Sequence, residues 1–493
     1  MAREVVLGID SSTQSTKVVA VDVETGQIAS EGRAPHSGAN TQHPDEWWDA
    51  LRIAIGHAVN ADLNVVGLSA AGQQHGRVLL DGAGKVVRPA SLWNNVEAAD
   101  DAERLNGMAD FASEVGSRLV ASFTIAKLAH LARTAPDDVR RADAVCLPHD
   151  WLNLRLTGEL ATDRGDASGS GWWSPDQGRE RRDLLALAVG DEEAARLRLP
   201  TVRAPEEPAG ALTGAAAAEL GLPRGIPVGP GTGDNMGAAL GIGAMPGEMV
   251  VSLGTSGTAF AVSDRATADP NGEVCGFADA TGRFLPLVCM LNCTRVVDTV
   301  AGMLGVDRAD ALDRAAAIEP GAGGLLLLPY FEGERTPNLP AASGSVFGLN
   351  AATARPDNLL RAALDGVAAG LAYCLEALAN QGVTGQVVTM VGGGAMHMAW
   401  RQAIADVMGL PVVVRGGGEH AARGAAVQAA AIVRRESVEE IARRWRPEIV
   451  AEASPRVGMR AAFRLEQRRA MIRERLELAT SPYSSEVGSP RGA

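Results

Sequence analysis

The chain has 493 residues, of which 46% are hydrophobic and 21% are charged. This length predicts two or three domains, and the composition is that of a soluble globular protein. The formal net charge of -13 argues against a nucleic-acid partner, because phosphate backbones attract clusters of Lys and Arg. The net charge does not argue against a nucleotide ligand, because backbone N–H groups and Mg²⁺ can hold the phosphates of a nucleotide.

The cysteines and the apolar runs indicate where such a protein would work. The five cysteines are odd in number and form no C-x-x-C pair, so neither a disulfide framework nor a zinc site is predicted. No run approaches the ~18 apolar residues of a membrane span, and the apolar start ends at Asp10, too early for a signal peptide. We therefore expect a cytoplasmic, reduced and soluble protein without a membrane partner.

Hydrophobic strands and helical segments alternate along the first half of the chain. Residues 4–10 and 15–26 read as two strands joined by a small polar turn. The elements predicted after them are a strand over 28–33, a helix over 44–59, a strand over 64–73, a hairpin over 78–87 and a mostly helical pattern over 98–198, interrupted by a loop at 162–176.

The second half repeats the pattern of strand, hydroxyl-rich turn and strand. It includes strands around 226–235 and 247–263, a long helix over 356–381, a strand and turn over 387–395, and a helix over 398–408. The polar end at 481–493 is typical of a disordered tail. Because strands alternate with helices throughout, the sequence predicts α/β lobes.

The first motif is GIDSSTQSTK, residues 8–17. A turn rich in Gly, Ser and Thr lets backbone N–H groups approach a polyphosphate closely. Asp10, at the end of a strand, could hold Mg²⁺ through water, since Mg²⁺ keeps several waters and binds one or two carboxylates. An ordinary hairpin with a capping Asp explains the same residues equally well.

The second motif is GTGDNMG, residues 231–237, followed by SLGTSGT, residues 252–258. Asp234, on a loop between glycines and near a phosphate-type turn, suits a general base aimed at a bound hydroxyl. In such a reaction most of the catalysis comes from positioning and charge stabilisation. The alternative is an Asx-turn, in which Asp234 only caps the following helix.

Two further motifs are compatible with ligand binding. In MVGGGA, residues 390–395, a strand runs through three glycines into a helix, which lets a flat ligand or a phosphate approach the backbone. AAGQQHG, residues 70–76, and SLWNN, residues 91–95, place Gln74, His75, Trp93 and Asn94 at strand ends, where they could bind sugar hydroxyls. A structural role for His75 is the competing interpretation, and the paired tryptophans at 47–48 and 172–173 are typical of packing.

The order of these motifs is more specific than any one of them. The succession GIDSSTQSTK, AAGQQHG, LWNN, FTIAKL, TGDN, SLGTSGT, LPYFEGERTP, GSVFGL and VGGGA resembles the FGGY family of carbohydrate kinases over roughly residues 5–430. Within the family, Gln74-His75-Gly76 and Ser91 to Asn94 are similar to the sugar-site motifs of the branch that acts on xylulose.

The resemblance implies a fold, a reaction and a set of domains. It implies two actin-like ATPase (ribonuclease H-like) lobes, each a mixed sheet flanked by helices, with the active site in the cleft between them. It also implies phosphorylation of D-xylulose at the 5-hydroxyl by ATP with Mg²⁺. The expected divisions are a mainly sugar-binding lobe over 1–242, a mainly ATP-binding lobe over 243–445, and a helical extension with a disordered tail over 446–493. A homodimer is compatible with this assignment.

The resemblance also implies site residues. Asp234 corresponds to the catalytic base and Asp10 to the metal-side carboxylate. The sugar side corresponds to Gln74, His75, Trp93, Asn94, Asp234 and Asn235. The nucleotide side corresponds to Thr13, Ser15, Gly254, Thr255, Ser256, Gly392, Gly393, Gly394 and Ala395.

Three departures and three alternatives stay open at this point. The chain carries Asn95-Val96-Glu97, Met396-His397 and Ala422-Arg423 where many relatives differ. The alternatives are a family member acting on ribulose, arabinitol or a related sugar or polyol, a nucleotide-dependent chaperone or filament protein with the same lobes, and a catalytically inactive sugar sensor. Such chaperones need no sugar base, so the TGDN motif weighs against them.

Overall fold

A computed structural model describes residues 2–456 and divides the chain into two compact units. The first unit consists of Met1–Pro246, Ala261–Pro286 and Gly416–Glu448. The second consists of Gly247–Phe260, Leu287–Arg415 and, among the described residues, 449–456. The predicted tail at 481–493 lies outside the described residues, and the lobe boundaries at 242 and 445 stay predictions.

The chain up to residue 246 contributes fifteen strands and eleven helices to the first unit. The strands are β1 (Arg3–Ser11), β2 (Ser15–Asp22), β3 (Ile28–Pro35), β4 (Thr41–Gln42), β5 (Leu63–Gly72), β6 (Val78–Leu80), β7 (Ala90–Ser91), β8 (Ala144–Cys146), β9 (Ala161–Asp163), β10 (Trp173–Ser174), β11 (Arg179–Glu180), β12 (Thr201–Arg203), β13 (Gly210–Ala211), β14 (Pro227–Val228) and β15 (Thr232–Gly233). The helices are α1 (Pro44–Ala58), α2 (Ala99–Asn106), α3 (Phe111–Val115), α4 (Thr124–Thr134), α5 (Pro136–Arg141), α6 (Pro148–Thr157), α7 (Arg164–Ser168), α8 (Arg182–Val189), α9 (Asp191–Arg196), α10 (Gly214–Leu220) and α11 (Asp234–Gly241).

The rest of the described chain alternates strands and helices in the same way. Its strands are β16 (Glu248–Leu253), β17 (Gly257–Ala261), β18 (Cys275–Ala278), β19 (Phe284–Met290), β20 (Leu326–Leu328), β21 (Ser345–Phe347), β22 (Val387–Val391), β23 (Val412–Arg415) and β24 (Ile449–Ala453). Its α-helices are α12 (Thr294–Leu304), α13 (Arg308–Ala316), α14 (Pro356–Asn380), α15 (Met398–Met408), α16 (His420–Arg434) and α17 (Val438–Arg444), and a short 3-10 helix spans Ala322–Gly324.

The main sheet of the first unit has the strand order β13-β14-β5-β1-β2-β3, and β15 also pairs with β5. Strand β1 is parallel to β5 and antiparallel to β2. Both β1 and β5 are buried along most of their length, so they read as nearly continuous apolar runs. This mixed sheet, with helices packed on it, confirms the predicted α/β class for the first unit.

Helices cover the sheet of the first unit through amphipathic and small-residue contacts. Helix α1 begins with a capping box formed by His43 and Glu46 and packs its apolar side against β2 and β3. Helix α16 packs against β1 at Gly8, where a Cβ atom would lie only 1.8 Å from the carbonyl oxygen of Ala422. Glycine is therefore required at position 8 for α16 to approach the strand.

The sheet of the second unit contains the strand order β19-β17-β16-β22-β23-β24, with β16 parallel to β22. Helix α14 packs with α12, α13 and α15. By length and composition α14 could span a membrane, but 78% of its most apolar stretch is buried inside the protein. It is therefore the core helix of this unit.

One local prediction was confirmed and another was wrong. The predicted hairpin over 78–87 turns at Asp81, where the N–H of Asp81 bonds to the carbonyl oxygen of Lys85 and Leu80 forms an antiparallel bridge with Val86, while β6 also pairs with β8. The predicted loop over 162–176 contains α7, which forms because the side chain of Asp163 accepts the N–H groups of Gly165 and Asp166. The paired tryptophans at 47–48 and 172–173 are buried, which confirms their packing role.

Candidate active site

Three motifs of the first unit meet at one edge of its sheet. In the strand register Asp10 of β1 lies beside Ala71 of β5, and Thr232 of β15 lies on the other side of Ala71. Because the three strands are parallel, their carboxyl ends lie together. The structure thus brings Asp10, the residues that follow β5 and Asp234 to the same end of the sheet.

Asp234 is the first residue of α11 and is half-buried. Its Oδ1 accepts hydrogen bonds from the backbone N–H of Asn235 (2.8 Å) and from Asn235 Nδ2 (2.9 Å). Its Oδ2 has no hydrogen-bond partner within residues 2–456, and the helix N-cap is Gly233 rather than Asp234. Desolvation, together with the charges of Asp10 and Asp166, raises the pKa of Asp234 to about 7.

Gln74 connects the sugar-side motif to the Asp234 loop. Its Oε1 accepts a hydrogen bond from Asn235 Nδ2 at 3.0 Å, and a Cβ atom at Gly233 would lie 2.8 Å from its Cγ. Its Nε2 is buried and has no hydrogen-bond partner in the described chain. A buried amide donor without a partner is costly unless a ligand accepts from it.

His75 has a structural setting that its sequence position did not reveal. It adopts a positive φ of 64°, its Nδ1 lies 3.0 Å from the carbonyl oxygen of Gly169, and its ring stacks on Phe123 with centroids 5.0 Å apart. Its carbonyl oxygen accepts a hydrogen bond from Lys127 Nζ at 2.8 Å. A non-glycine residue held at positive φ by such contacts is typical of a binding site.

The turn at residues 8–17 contacts the SLWNN motif, residues 91–95. The Thr13 hydroxyl accepts a hydrogen bond from Trp93 Nε1 (2.8 Å) and donates to Gln73 Oε1 (3.2 Å). Ser15 is buried in β2, and its carbonyl oxygen accepts the N–H of Ser12. Asn94 is exposed beside the half-buried Trp93. The hydroxyl of Thr13 therefore positions Trp93, a contact that the sequence did not indicate.

Asp10 is buried near both a positive and a negative side chain. Its Oδ1 accepts a hydrogen bond from Ser12 Oγ at 2.6 Å, and its Oδ2 lies 3.9 Å from Lys17 Nζ. Lys17 bonds more closely to Glu419, at 2.6 Å. Burial raises the pKa of Asp10, with Ser12 and Lys17 opposing that shift. Asp10 and Asp234 thus form a pair of carboxylates that each favour a nearby cation.

Sequence reasoning missed the residues that hold the Asp234 loop. Gln428 of α16 accepts the N–H of Gly231 and donates its own Nε2 to the carbonyl oxygen of Gly231, both at 3.0 Å. His149 of α6 lies against the same glycine and bonds to Asp166 at 2.8 Å. A single Gln in an Ala-rich helix and a histidine far away in the chain carry no local signal of such contacts.

In the second unit, the two glycine-containing turns lie side by side. Ser252 of β16 is in register with Val391 of β22, so the turns after these parallel strands start at the same sheet edge. Gly392 has φ +90°, and a Cβ atom there would lie 2.6 Å from the carbonyl oxygen of Leu253. The close approach of the two turns therefore requires glycine at position 392.

The turn after β22 lines a cavity of about 230 Å³ through Gly393 and Gly394. Gly254 and Thr255 are exposed and Ser256 is half-buried, while the carbonyl oxygen of Gly254 accepts from Thr294 at the start of α12. Ala395 is buried, and its N–H closes the turn on Gly392. The apolar walls of the cavity include Gly393, Gly394, Val297, Leu312 and Trp400, and its polar lining consists of Thr294, His397 and the ion pair of Asp298 with Arg308.

The departures noted in the sequence have local structural roles. Arg77 and Glu97 line the same cavity, so Arg77 supplies a positive charge beside the first of these departures. His397 caps α15 by accepting the N–H of Ala399, and the buried Arg423 donates to the carbonyl oxygen of Trp445 at 2.6 Å.

Glu334 of the FEGERTP motif is buried within the second unit rather than solvated. It accepts the backbone N–H of Leu291 at 2.7 Å and a hydrogen bond from Asn292 Nδ2 at 3.0 Å. Burial raises its pKa against these hydrogen bonds. The side chain therefore anchors the motif to the end of β19.

Comparison with known proteins assigns the family. The N-terminal domain of the FGGY family of carbohydrate kinases matches residues 5–241, and the C-terminal domain matches residues 249–432. The chain belongs to the FGGY family of carbohydrate kinases. A xylulose kinase of Streptomyces rubiginosus is 46% identical over 450 residues, which are 89% of this chain and 90% of the relative.

Solved structures of FGGY kinases agree with this assignment. A xylulose kinase structure from Bifidobacterium adolescentis is 35% identical, with a TM-score of 0.84, over 94% of this chain and 99% of the other. The structure of a xyloylose kinase from Brucella ovis is 29% identical, with a TM-score of 0.89, over 96% of this chain and 99% of the other. The predicted sugar-kinase class and the fold of mixed sheets flanked by helices are confirmed.

Proposed function

We propose that this FGGY kinase transfers the γ-phosphoryl group of ATP to the 5-hydroxyl of D-xylulose, giving D-xylulose 5-phosphate and ADP. The observation that carries the proposal is the free Oδ2 of Asp234, in a carboxylate of raised pKa beside the unpartnered amide of Gln74. The sugar itself is supported by the relatives named xylulose kinase, which reach 46% identity.

Asp234 acts as the general base in this proposal. Its ionised carboxylate accepts the proton of the sugar hydroxyl as the oxygen attacks the γ-phosphorus and the bond from that phosphorus to the β-γ bridging oxygen of ATP breaks. A pKa of about 7 suits the role, because a base is most effective when its pKa lies near the working pH. Asn235 orients the carboxylate by bonding to Oδ1, which leaves Oδ2 for the substrate.

The other sugar-side residues bind and orient the ketose. Gln74 Nε2 supplies a hydrogen bond to a hydroxyl or carbonyl oxygen, and the ring of Trp93, fixed by Thr13, offers a flat face to the carbon chain. His75, held against Phe123, fixes the end of the motif. Asn94 is exposed and can contribute a polar contact.

ATP is assigned to the hydroxyl-rich turns at residues 8–17 and 252–258 and to the glycine turn at residues 390–395. We place the adenine ring against the apolar wall formed by Gly393, Gly394, Val297 and Trp400 in the cavity of about 230 Å³. The phosphates are assigned to Gly254, Thr255 and Ser256, with Thr13 and Ser15 on the first hydroxyl turn. Exposed turn residues without long side chains leave backbone N–H groups accessible to a phosphate.

The donor set around Asp10 fits Mg²⁺. Mg²⁺ takes one or two carboxylates and keeps several waters, and Asp10 Oδ2 has no hydrogen-bond donor within residues 2–456. A cation here would also offset the charges of Asp10 and Asp234, whose pKa values are both raised. When bound, Mg²⁺ supplies positive charge to the β- and γ-phosphates.

The proposal extends to cellular setting and assembly. We assign the enzyme to the cytoplasm as a soluble protein of pentose catabolism, acting alone or as a homodimer. In keeping with the sequence, residues 1–242 would bind mainly the sugar and residues 243–445 mainly ATP.

A substrate panel tests the proposed activity. Release of ADP from MgATP is measured with D-xylulose, ribulose, arabinitol and glycerol, and D-xylulose should give the highest kcat/KM. Preference for ribulose or arabinitol would refute the assignment of the sugar alone. Absence of stimulation by any sugar or polyol would refute the kinase and favour a sensor.

A substitution tests the role of Asp234. Asp234→Asn should lower kcat by about 10²–10⁴-fold, the range for a general base, while ATP binding stays intact. The matched control is Asp307→Asn, in which the exposed N-cap of α13 is replaced by an equally good cap. If the two variants turned over equally fast, Asp234 would not be the base.

A further inference from the structure

A fully buried histidine lies among three carboxylates beneath the proposed active site. His149 Nδ1 donates to Asp166 Oδ2 at 2.8 Å. Its Nε2 forms no hydrogen bond within the described residues, but it lies within ion-pair distance of Asp150 Oδ1 (3.2 Å) and Asp163 Oδ1 (3.6 Å). All four side chains are at most 5% exposed. Three of the four come from α6 and α7, and Asp163 ends β9.

The charge of this cluster requires a cation. Three buried carboxylates near one another are strongly unfavourable unless a positive group compensates them. Burial alone would lower the pKa of His149, but Asp150, Asp166 and Asp163 raise it to about 9. Within residues 2–456, no group of His, Cys, Asp and Glu is arranged to hold a metal ion. Burial also raises the pKa of Asp150 to about 7 and that of Asp163 to about 6, so protonation of these carboxylates relieves part of the charge and the imidazolium of His149 compensates the rest.

The same histidine forms a wall for the Asp234 loop. A Cβ atom at Gly231 would lie 2.3 Å from His149 Cδ2, and one at Gly72 would lie 2.9 Å from His149 Cβ. The imidazole thus fills the space between the end of β5 and the loop, three residues before Asp234. Gln428 holds the opposite edge of Gly231 through its two hydrogen bonds.

Other charged groups lie on the elements that pack around this cluster. They include Asp10 with Lys17 and Glu419 beside β1, Cys146 at the end of β8, Asp45 and Glu219 paired with Arg155 at the surface of α6, Asp279 near Arg164 after β18, and His75, His420 and Arg423. The three carboxylates are the charged groups that act on His149, whereas Asp10 and Asp166 are those that act on Asp234.

We propose that His149 is a positioning residue for catalysis: as a buried cation held by Asp150, Asp163 and Asp166, it supports Gly231 and screens Asp166 from Asp234. This inference rests on the proposed role of Asp234 as the base. It assigns two effects to one side chain. The ring fixes the loop, and its charge keeps Asp234 able to ionise near neutral pH.

The protonation of His149 can be observed without any catalysis. Protein labelled with ¹⁵N at histidine is titrated by NMR, with His149→Gln identifying the signal. Both ring nitrogens of His149 should remain protonated from pH 6 to 8 and lose a proton only near pH 9. A ring that is neutral at pH 7.5 would overturn the proposal, whether or not the enzyme phosphorylates xylulose.

Kinetics of paired variants test the charge effect on Asp234. A unit charge roughly 10 Å from a titrating group shifts its pKa by about one unit at an effective dielectric constant of ~20. His149→Gln should therefore move the acidic limb of the kcat/KM profile upward by about 0.5–1 pH unit, whereas Asp166→Asn should move it downward. His149→Lys should restore the limb, because it keeps the positive charge. Kinetic constants are compared with those of His57→Gln, an exposed control on α1.

The outcomes separate the inference from the proposed function. We expect kcat of His149→Gln to fall about 10-fold or more from loop displacement, with KM for ATP within about twofold of the wild type. If the acidic limb of the kcat/KM profile stayed fixed in His149→Gln and Asp166→Asn, or moved in the same direction in both, the screening role would be overturned. A wild type with no sugar-stimulated turnover would refute the proposed function instead, and the NMR titration would then decide the state of His149 alone.

Discussion

Replacement of Gln428 by Leu removes three hydrogen bonds from a fully buried site. Gln428 bonds to both backbone groups of Gly231 at 3.0 Å and accepts the hydroxyl of Ser69 at 2.5 Å. A buried polar group that is left without its partner costs about 1–3 kcal/mol. With three groups orphaned, Gln428→Leu should destabilise the first unit by about 3–9 kcal/mol and lower kcat, because the Asp234 loop loses its anchor.

Tryptophan fluorescence can measure this loss in the first unit by itself. Seven of the eight tryptophans, all except Trp400, lie in that unit, so a urea titration followed by fluorescence reports mainly its unfolding. The matched control is Gln27→Leu, at an exposed position of the first unit, which should change the free energy of unfolding by no more than about 0.5 kcal/mol. If Gln428→Leu destabilised by less than about 1 kcal/mol, the argued energetic role of these hydrogen bonds would be refuted.

Three further predictions concern charge, packing and the nucleotide cavity. Because the pKa of Asp234 is raised from 3.8 to about 7, its ionisation destabilises the fold as the pH rises through that window. Asp234→Asn should thus raise Tm above pH 7 and show no gain below about pH 4, and an unchanged difference across this range would contradict the shift. Gly8→Ala should destabilise by ~1–3 kcal/mol or more because its Cβ meets backbone of α16, whereas Gly56→Ala, in open space on α1, should stabilise by up to about 1 kcal/mol; equal urea midpoints would be inconsistent with this. Ala309→Trp should raise KM for ATP and leave KM for D-xylulose unchanged, in contrast to the exposed control Ala351→Trp, and equal KM values for ATP would exclude adenine from that cavity.

Local sequence patterns predicted the strands that carry the motifs, because each motif follows a short apolar run. The ends of β1, β5 and β16, and the glycine turn after β22, lie where the patterns indicated. The helix over 44–59 was also predicted within one residue, since Pro44 and the acidic first turn mark its start. These features depend on neighbours within a few residues, so one chain was sufficient to find them.

Features that depend on tertiary contacts were missed. Asp163 and Asp166 lie in a segment rich in Gly and Ser, which reads as a loop, and nothing local indicates that His149 compensates their charge. Nothing in the segment around Glu334 indicates that it is buried, because its partners, Leu291 and Asn292, lie about 40 residues earlier in the chain. In both cases the burial that decides the role is produced by the fold and not by the segment.

The bond between Ser69 and Gln428 joins residues that are 359 positions apart, and this has a consequence for biosynthesis. At ~5–20 residues per second, a ribosome needs roughly 20–70 s to add the helix that holds the Gly231 loop after making the strand beneath it. The first unit therefore cannot be completed until α16 has been made, although its first strand is the first to be made. Ribosome-bound chains that end before residue 420 should be cleaved readily at the Gly231 loop by a protease, and chains that expose residues up to 448 outside the exit tunnel should resist it.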